Sequence, residues 1–75
     1  MTNTNVVISR QVRRYLEAND LTQSALARRL AMSQASVHMK INNRRRWTVD
    51  DVTRLIDLDV LPVDALLKVT ESESD

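Results

Sequence analysis

The sequence predicts an all-α fold of five short helices in one domain. Three observations lead there. Apolar residues recur at three- and four-residue spacing in five separate stretches. Glycine is absent and proline occurs once in 75 residues, so few positions interrupt a helix. A good N-cap residue (Thr22, Ser33 or Thr48) stands just before three of the stretches. A chain of this length holds one modest core. Its 43% hydrophobic content suits a globule rather than a disordered chain. With no Phe, one Trp and one Tyr, that core has to be mainly aliphatic.

The first helix is predicted over Val6 to Asn19. Ile8, Val12 and Leu16 line one face of it, with Val7 and Tyr15 beside them. Thr22 caps the second, Gln23 to Leu30, whose inner face carries Leu26 and Leu30 with the small Ala27 next to them. Only Ala31 and Met32 separate it from the next cap, Ser33. The third helix runs from Gln34 to Ile41 and closes at Asn42-Asn43, where Asn43 is suited to a left-handed backbone. The basic stretch Arg44-Arg45-Arg46 follows, and Trp47 is expected to pack on the core. Thr48 and Asp51 stand at capping-box spacing before a fourth helix ending near Leu58, with Val52, Leu55 and Ile56 as its stripe. Pro62 suits the first turn of a fifth helix through about Lys68, with Val63, Leu66 and Leu67 closing the core. The expected domain is therefore 6–69, preceded by a flexible 1–5 and followed by an acidic, frayed 70–75.

Composition excludes several functions. Without cysteine there are no disulfides, thiolate metal sites or cysteine nucleophiles. One histidine does not make a metal site, and no carboxylate pair has a partner at ligand spacing. No nucleophile–base pair or glycine-rich phosphate loop is present. The expectation is a non-enzyme without cofactor, metal or small-molecule substrate. No leader or membrane span fits the polar start, so the expected compartment is the cytoplasm.

The net charge of +1 hides a division. Residues 1–47 hold nine Lys+Arg against Glu17 and Asp20, or +7, and residues 48–75 hold two against eight, or −6. A basic front attracts phosphates and an acidic back keeps the protein soluble.

The third helix carries the functional signal. At about 100° per residue, with Val37 at the centre of the buried face, Ile41 and Ser33 also turn inward. Ala35 and Met39 then point away, Ser36, His38 and Asn42 lie on the flanks, and Gln34 sits at the N-terminal edge. A merely solvated helix more often carries Glu and Lys on such a face. Small and uncharged polar groups suit base edges, which offer donors, acceptors and the thymine methyl.

The segment LTQSALARRLAMSQASVHMKINNRRR resembles the lambda-repressor-like helix-turn-helix family, the Cro and repressor type of phages and bacteria. The resemblance extends from Val6 to about Leu67 and includes WTVDDVTRLIDL and PVDALL. It implies a compact five-helix fold with the helix-turn-helix at helices 2 and 3, residues 23–42. It also implies a transcriptional regulator that binds a palindromic double-stranded DNA operator as a homodimer. Gln23 falls where the family contacts a phosphate, and Gln34 where it reads a base. Ala35, Ser36 and Met39 match groove-facing positions, while Ser33, Asn42, Asn43 and Arg44 match positions near the DNA backbone. Two positions depart from the pattern. The family's turn glycine is Ala31 here, and its late aromatic or aliphatic residue is Lys40, so Ile41 is expected to take over the core contact.

Each assignment has a plainer counterpart. Met39 reads either as a thymine-methyl contact or as a core or dimer contact. His38 reads as a phosphate contact or as a solvated surface residue. Arg44, Arg45 and Arg46 read as a phosphate clamp or a solubilising loop. On helix 1, Arg10, Arg13 and Arg14 stand away from the apolar stripe, and Arg28 and Arg29 read equally as backbone contacts or solvated residues. Asp50, Asp51, Asp57 and Asp59 are expected to form a solvated face. Dimer contacts are expected from the C-terminal third, with Val60, Leu61, Val63 and Val69 as candidates. The competing function is a helical protein-interaction module, antitoxin-like or an adaptor, that works through that acidic and apolar third.

Overall fold

The computed structural model describes residues 4–66. Four helices follow one another: α1 (Thr4–Ala18), α2 (Gln23–Leu30), α3 (Gln34–Ile41) and α4 (Val49–Asp57). Residues 64–66 are again helical, shortly after Pro62. No strand occurs among the described residues, and none of the helices there is long and apolar enough to cross a membrane. The expected Leu67, Lys68 and Val69, and the acidic tail 70–75, lie outside the described residues.

The core is continuous and nearly aliphatic. Ile8, Val12 and Leu16 come from α1, Leu26, Ala27 and Leu30 from α2, Val37 and Ile41 from α3, and Val52 and Leu55 from α4. Trp47, Leu61 and Ala65 complete it from the connecting segments and the last helical turn. The middle helix α3 packs on both α2 and α1, and α2 also packs on α4. Ala27 is buried where a larger side chain would hold neighbouring elements apart.

The helix starts are built as the sequence indicates. The hydroxyls of Thr22 and Ser33 accept from the backbone N–H of Ala25 and Ser36, both at 3.1 Å. Thr48 and Asp51 exchange both bonds of a capping box. Each such cap contributes about 1 kcal/mol.

The helix ends share one device. Asp20, Ala31, Asn43 and Asp59 all have positive φ, between 53° and 62°. Each follows one helix, and around each the chain closes with the two reversed bonds of a Schellman motif. These are Leu21 N–H to Leu16 O and Asp20 to Glu17, then Met32 to Ala27 and Ala31 to Arg28. The other two ends repeat the pattern, with Arg44 to Met39 and Asn43 to Lys40, then Val60 to Leu55 and Asp59 to Ile56. Among the described residues, a chain without glycine thus makes four left-handed stops. Asn and Asp tolerate that backbone, whereas Ala31 takes it at a cost of about 1 kcal/mol.

Several expectations need correction. Helix α1 starts at Thr4, not Val6, because Asn5 is held in place: its Oδ1 accepts from the Trp47 backbone N–H at 2.7 Å. Thr4 and Asn5 therefore belong to the folded domain, while Met1, Thr2 and Asn3 lie outside the described residues. Ser33 is exposed rather than inward-facing, because a cap has extended backbone (φ −73°, ψ 151°) and does not follow the helical wheel. Asp51 is not solvated: it is 6% exposed and faces α3. Leu61 is a core residue, 4% exposed, and is removed from the candidate dimer surface. Val60 is half-buried, and Val63 is 70% exposed.

Candidate nucleic-acid interface

Helix α3 presents a neutral face to solvent. Gln34, Ala35, His38 and Asn42 are exposed, Ser36 and Met39 are half-buried, and Val37 and Ile41 are fully covered. Ile41 makes the core contact expected of it. Met39 is partly sheltered.

The two flanks of this face are tied differently. On one side, Gln23 at the start of α2 places Oε1 3.2 Å from Nδ1 of His38. Asn42 donates from Nδ2 to the His38 backbone carbonyl at 2.8 Å, and its Oδ1 accepts from Arg13 at 2.9 Å. Gln23, His38, Asn42 and Arg13 thus form one polar chain from α2 across α3 to α1. On the other side, the Arg45 guanidinium reaches the Ser36 hydroxyl at 3.4 Å. Arg44, Arg45 and Arg46 are all exposed, and the N–H groups of Arg44 and Arg45 both point back to the Met39 carbonyl, at 2.8 and 3.3 Å. The basic loop is therefore anchored to the end of α3 through its backbone while its side chains remain in solvent.

Behind the face lies a polar network that sequence reasoning did not anticipate. Ser9, 2% exposed, accepts from Trp47 Nε1 at 2.9 Å. Its hydroxyl stands 2.9 Å from the Lys40 carbonyl and 2.8 Å from Asn43 Oδ1. A hydroxyl has one proton, so it serves one of these two acceptors at a time. Asn43 also accepts from Asn5 at 3.4 Å, which joins the left-handed stop of α3 to the start of α1. Beside it, the Lys40 ammonium is paired with the Asp51 carboxylate, and both side chains are almost enclosed. Asp51 keeps its capping bond to the Thr48 N–H as well, at 2.9 Å. One carboxylate therefore caps α4 and fastens α4 to the inner side of α3.

Two arginines close the carbonyl ends of α2 and α3. Arg13 donates to Ile41 O at 3.4 Å, and Arg54 donates to Leu30 O at 2.6 Å. A cation at a helix C-terminus also complements the helix dipole. The charge count changes accordingly. Lys40 is neutralised by Asp51, and Arg13 is occupied within the fold. The exposed arginines at 10, 14, 28, 29 and 44–46 carry the remaining basic front.

Every predicted site residue except Ser33 and Asn43 either faces solvent on α3, flanks it, or lies in the loop that follows. Ser33 is the cap of α3 and Asn43 its stop, and both are exposed. One missed residue had a local signal: Ser9 completes the stripe of Val12 and Leu16, so its inward direction was readable although its partners were not. No family model matches the chain, and no curated protein or solved structure matches it.

Proposed function

We propose that the protein is a sequence-specific double-stranded DNA-binding regulator of transcription, of the lambda-repressor-like helix-turn-helix type, that reads the major groove with α3. The observation that carries this is the outward face of α3. It has no charged side chain, yet it runs directly into three exposed arginines. Base edges are read by neutral donors, acceptors and methyl groups, and phosphates by cations. The tight corner between α2 and α3 supports the same reading, since Ala31 and Met32 alone separate α2 from the Ser33 cap. A rigid corner of this kind projects its second helix outward.

In this proposal Gln34 reads an adenine through its amide. Ala35, Ser36 and Met39 meet the groove floor, with the thymine methyl as the partner of Met39. Gln23, Asn42, Asn43 and the Arg44–Arg46 loop sit along the phosphates, and the amides at the start of α3, by Ser33, face one more. A homodimer on a palindromic operator belongs to the proposal, with Val60 and Val63 as the described apolar candidates for its contact and half-sites about one helical turn apart. The role is binding rather than catalysis.

The test is selection of bound sequences from a random duplex pool, followed by salt-titrated affinity. A palindromic motif is expected. Gln34→Ala should remove the preference at one position per half-site, costing about 1–3 kcal/mol there. Arg45→Ala should weaken all sequences alike and lower the salt slope by about one. If neither replacement alters DNA binding, α3 does not read the groove and the proposal fails.

A further inference from the structure

The end of α3 is closed by a side chain from another helix. Arg13 of α1 uses one terminal nitrogen, Nη2, for two acceptors: Asn42 Oδ1 at 2.9 Å and the Ile41 carbonyl at 3.4 Å. A guanidinium carries five N–H hydrogens, two of them on that nitrogen. The others, on Nη1 and Nε, have no hydrogen-bond partner among the described residues. No carboxylate neutralises the group either. Lys40–Asp51 is the only ion pair among the described residues, so Glu17, one turn further along α1, leaves Arg13 unpaired. Arg13 is exposed. Its charge and most of its donors are therefore available to a ligand at the corner where α3 ends and the Arg44–Arg46 loop begins.

Asn42 is arranged the other way. Its Oδ1 accepts from Arg13, and its Nδ2 donates to the His38 carbonyl at 2.8 Å. The orientation of this amide is fixed by its partners, since a guanidinium only donates and a carbonyl only accepts. Both ring nitrogens of His38 also stand near the same Nδ2, at 3.3 and 3.4 Å. The donor nitrogen of Asn42 is therefore turned to His38, and the atom it sets beside Arg13 is an acceptor. A phosphate oxygen only accepts as well. At this corner it finds a donor on Arg13 and not on Asn42.

We infer that Arg13 is a phosphate-binding residue of the interface, and that Asn42 is its positioning residue rather than a phosphate contact in its own right. Through Nη2 the guanidinium is held to the end of α3, and its remaining donors meet a phosphate on that side of the groove. The Asn42 amide fixes where those donors stand. A side chain already held in the free protein has less freedom to lose on binding, which lowers the cost of the contact. Arg13 thus has two roles at one place: it closes α3 for the fold and adds a cation from α1 to those of the loop. This inference rests on α3 being the reading helix.

The experiment measures affinity against salt concentration for two probes, a duplex carrying the motif selected from the random pool and a random-sequence duplex. The full chain is compared with Arg13→Gln, Asn42→Ala, their double variant and Arg54→Gln, with circular dichroism to check that each is folded. Arg54→Gln is the control, because it removes the same charge and the same kind of bond at the end of α2. Arg13→Gln should weaken both duplexes alike, by about tenfold at low salt, and lower the salt slope by about one. Arg54→Gln should leave the slope as it is. Asn42→Ala should weaken binding less, keep the slope, and cost nothing further once Arg13 is replaced. An unchanged slope in Arg13→Gln overturns the inference and leaves Arg13 as a clasp of the fold, with α3 still the reader. Equal slope changes in Arg13→Gln and Arg54→Gln also overturn it, because net charge then accounts for both. If Asn42→Ala costs as much without Arg13 as with it, Asn42 bonds to DNA itself and the positioning role is overturned. Arginine side-chain nitrogen NMR of the unaltered chain reads the contact even if Arg13→Gln does not fold. The Arg13 signals should move on adding duplex while those of Arg54 stay, and unmoved Arg13 signals overturn the inference. No enriched motif from the pool overturns the groove-reading proposal and this inference with it.

Discussion

Helices α3 and α4 have eight and nine residues, rest on the same core and end in the same Schellman geometry, yet they present opposite surfaces. Exposed Gln34, Ala35, His38 and Asn42 make the face of α3 neutral, whereas Asp50, Asp57 and the single Arg54 make that of α4 acidic. The residue after each left-handed stop differs as well. It is Val60 after α4, and the chain turns into the core at Leu61. It is Arg44 after α3, and the chain stays in solvent until Trp47. Leu21 and Met32 follow the stops of α1 and α2, so three of the four are apolar. A Schellman stop usually adds a hydrophobic contact at this position. At α3 the contact is given up and a basic loop stands in its place. The backbone geometry of a helix end is thus separable from what the end presents, and α3 is the end that presents cations.

The comparison breaks most sharply at the bond that joins the two helices. Asp51→Ala leaves Lys40 buried without its partner and removes one of the two bonds of the α4 capping box. The expected loss is about 3–5 kcal/mol, enough to unfold a domain this small in urea titration. The double replacement Lys40→Met with Asp51→Leu should recover most of that loss, because an apolar pair of similar volume avoids the desolvation cost. If the single change is harmless, the ion pair does not hold α3 to α4.

Ser9→Ala tests the second fastening of α3. It strands the Trp47 indole N–H in the core, and a stability loss of about 2 kcal/mol is expected. Trp47 fluorescence should shift at the same time, since its hydrogen-bond partner is gone. Ser9→Thr, which keeps the hydroxyl but adds a methyl, separates lost bonding from lost fit.

Ala31→Gly addresses the stops themselves. Relief of the left-handed alanine should raise the denaturation midpoint by an amount equivalent to about 1 kcal/mol or less, since glycine also loosens the unfolded chain. Asn43→Gly should gain nothing, because the amide bonds to Ser9 and Asn5 go with the side chain. The smallest stability effect is expected at Arg44→Val, which copies the α4 arrangement onto α3. Stability should stay within about 0.5 kcal/mol. Under the proposed function, DNA affinity should fall, and the salt slope with it, by about one contact.

Much of this architecture was legible along the chain. The bounds of α2 and α3, the caps at Thr22, Ser33 and Thr48, and the left-handed Asn43 each depend on residues within a few positions of one another. Local hydrogen bonding and helical periodicity decide such features, and both are written in short windows of sequence. The outward face of α3 was readable for the same reason, once Val37 marked the inner side. Ser33 was misplaced because a wheel describes helical residues and a cap is not one. Asp51 was misplaced because its acidic neighbours suggested a solvated run. Its cap role was visible at three-residue spacing from Thr48, but its burial was set by Lys40, eleven positions away.

By itself, then, the sequence determined an all-α chain, where its helices start and stop, and which side of α3 is neutral. The tertiary structure decided how α3 is held. Ser9 meets Trp47 across 38 positions and Lys40 across 31, and Arg13 reaches the end of α3 across 28. Contacts at such separations are selected by how the helices pack, since only packing brings those atoms within hydrogen-bond reach. The same packing turned a lysine on α3 inward, where it serves the fold, and left the arginines just after it in solvent.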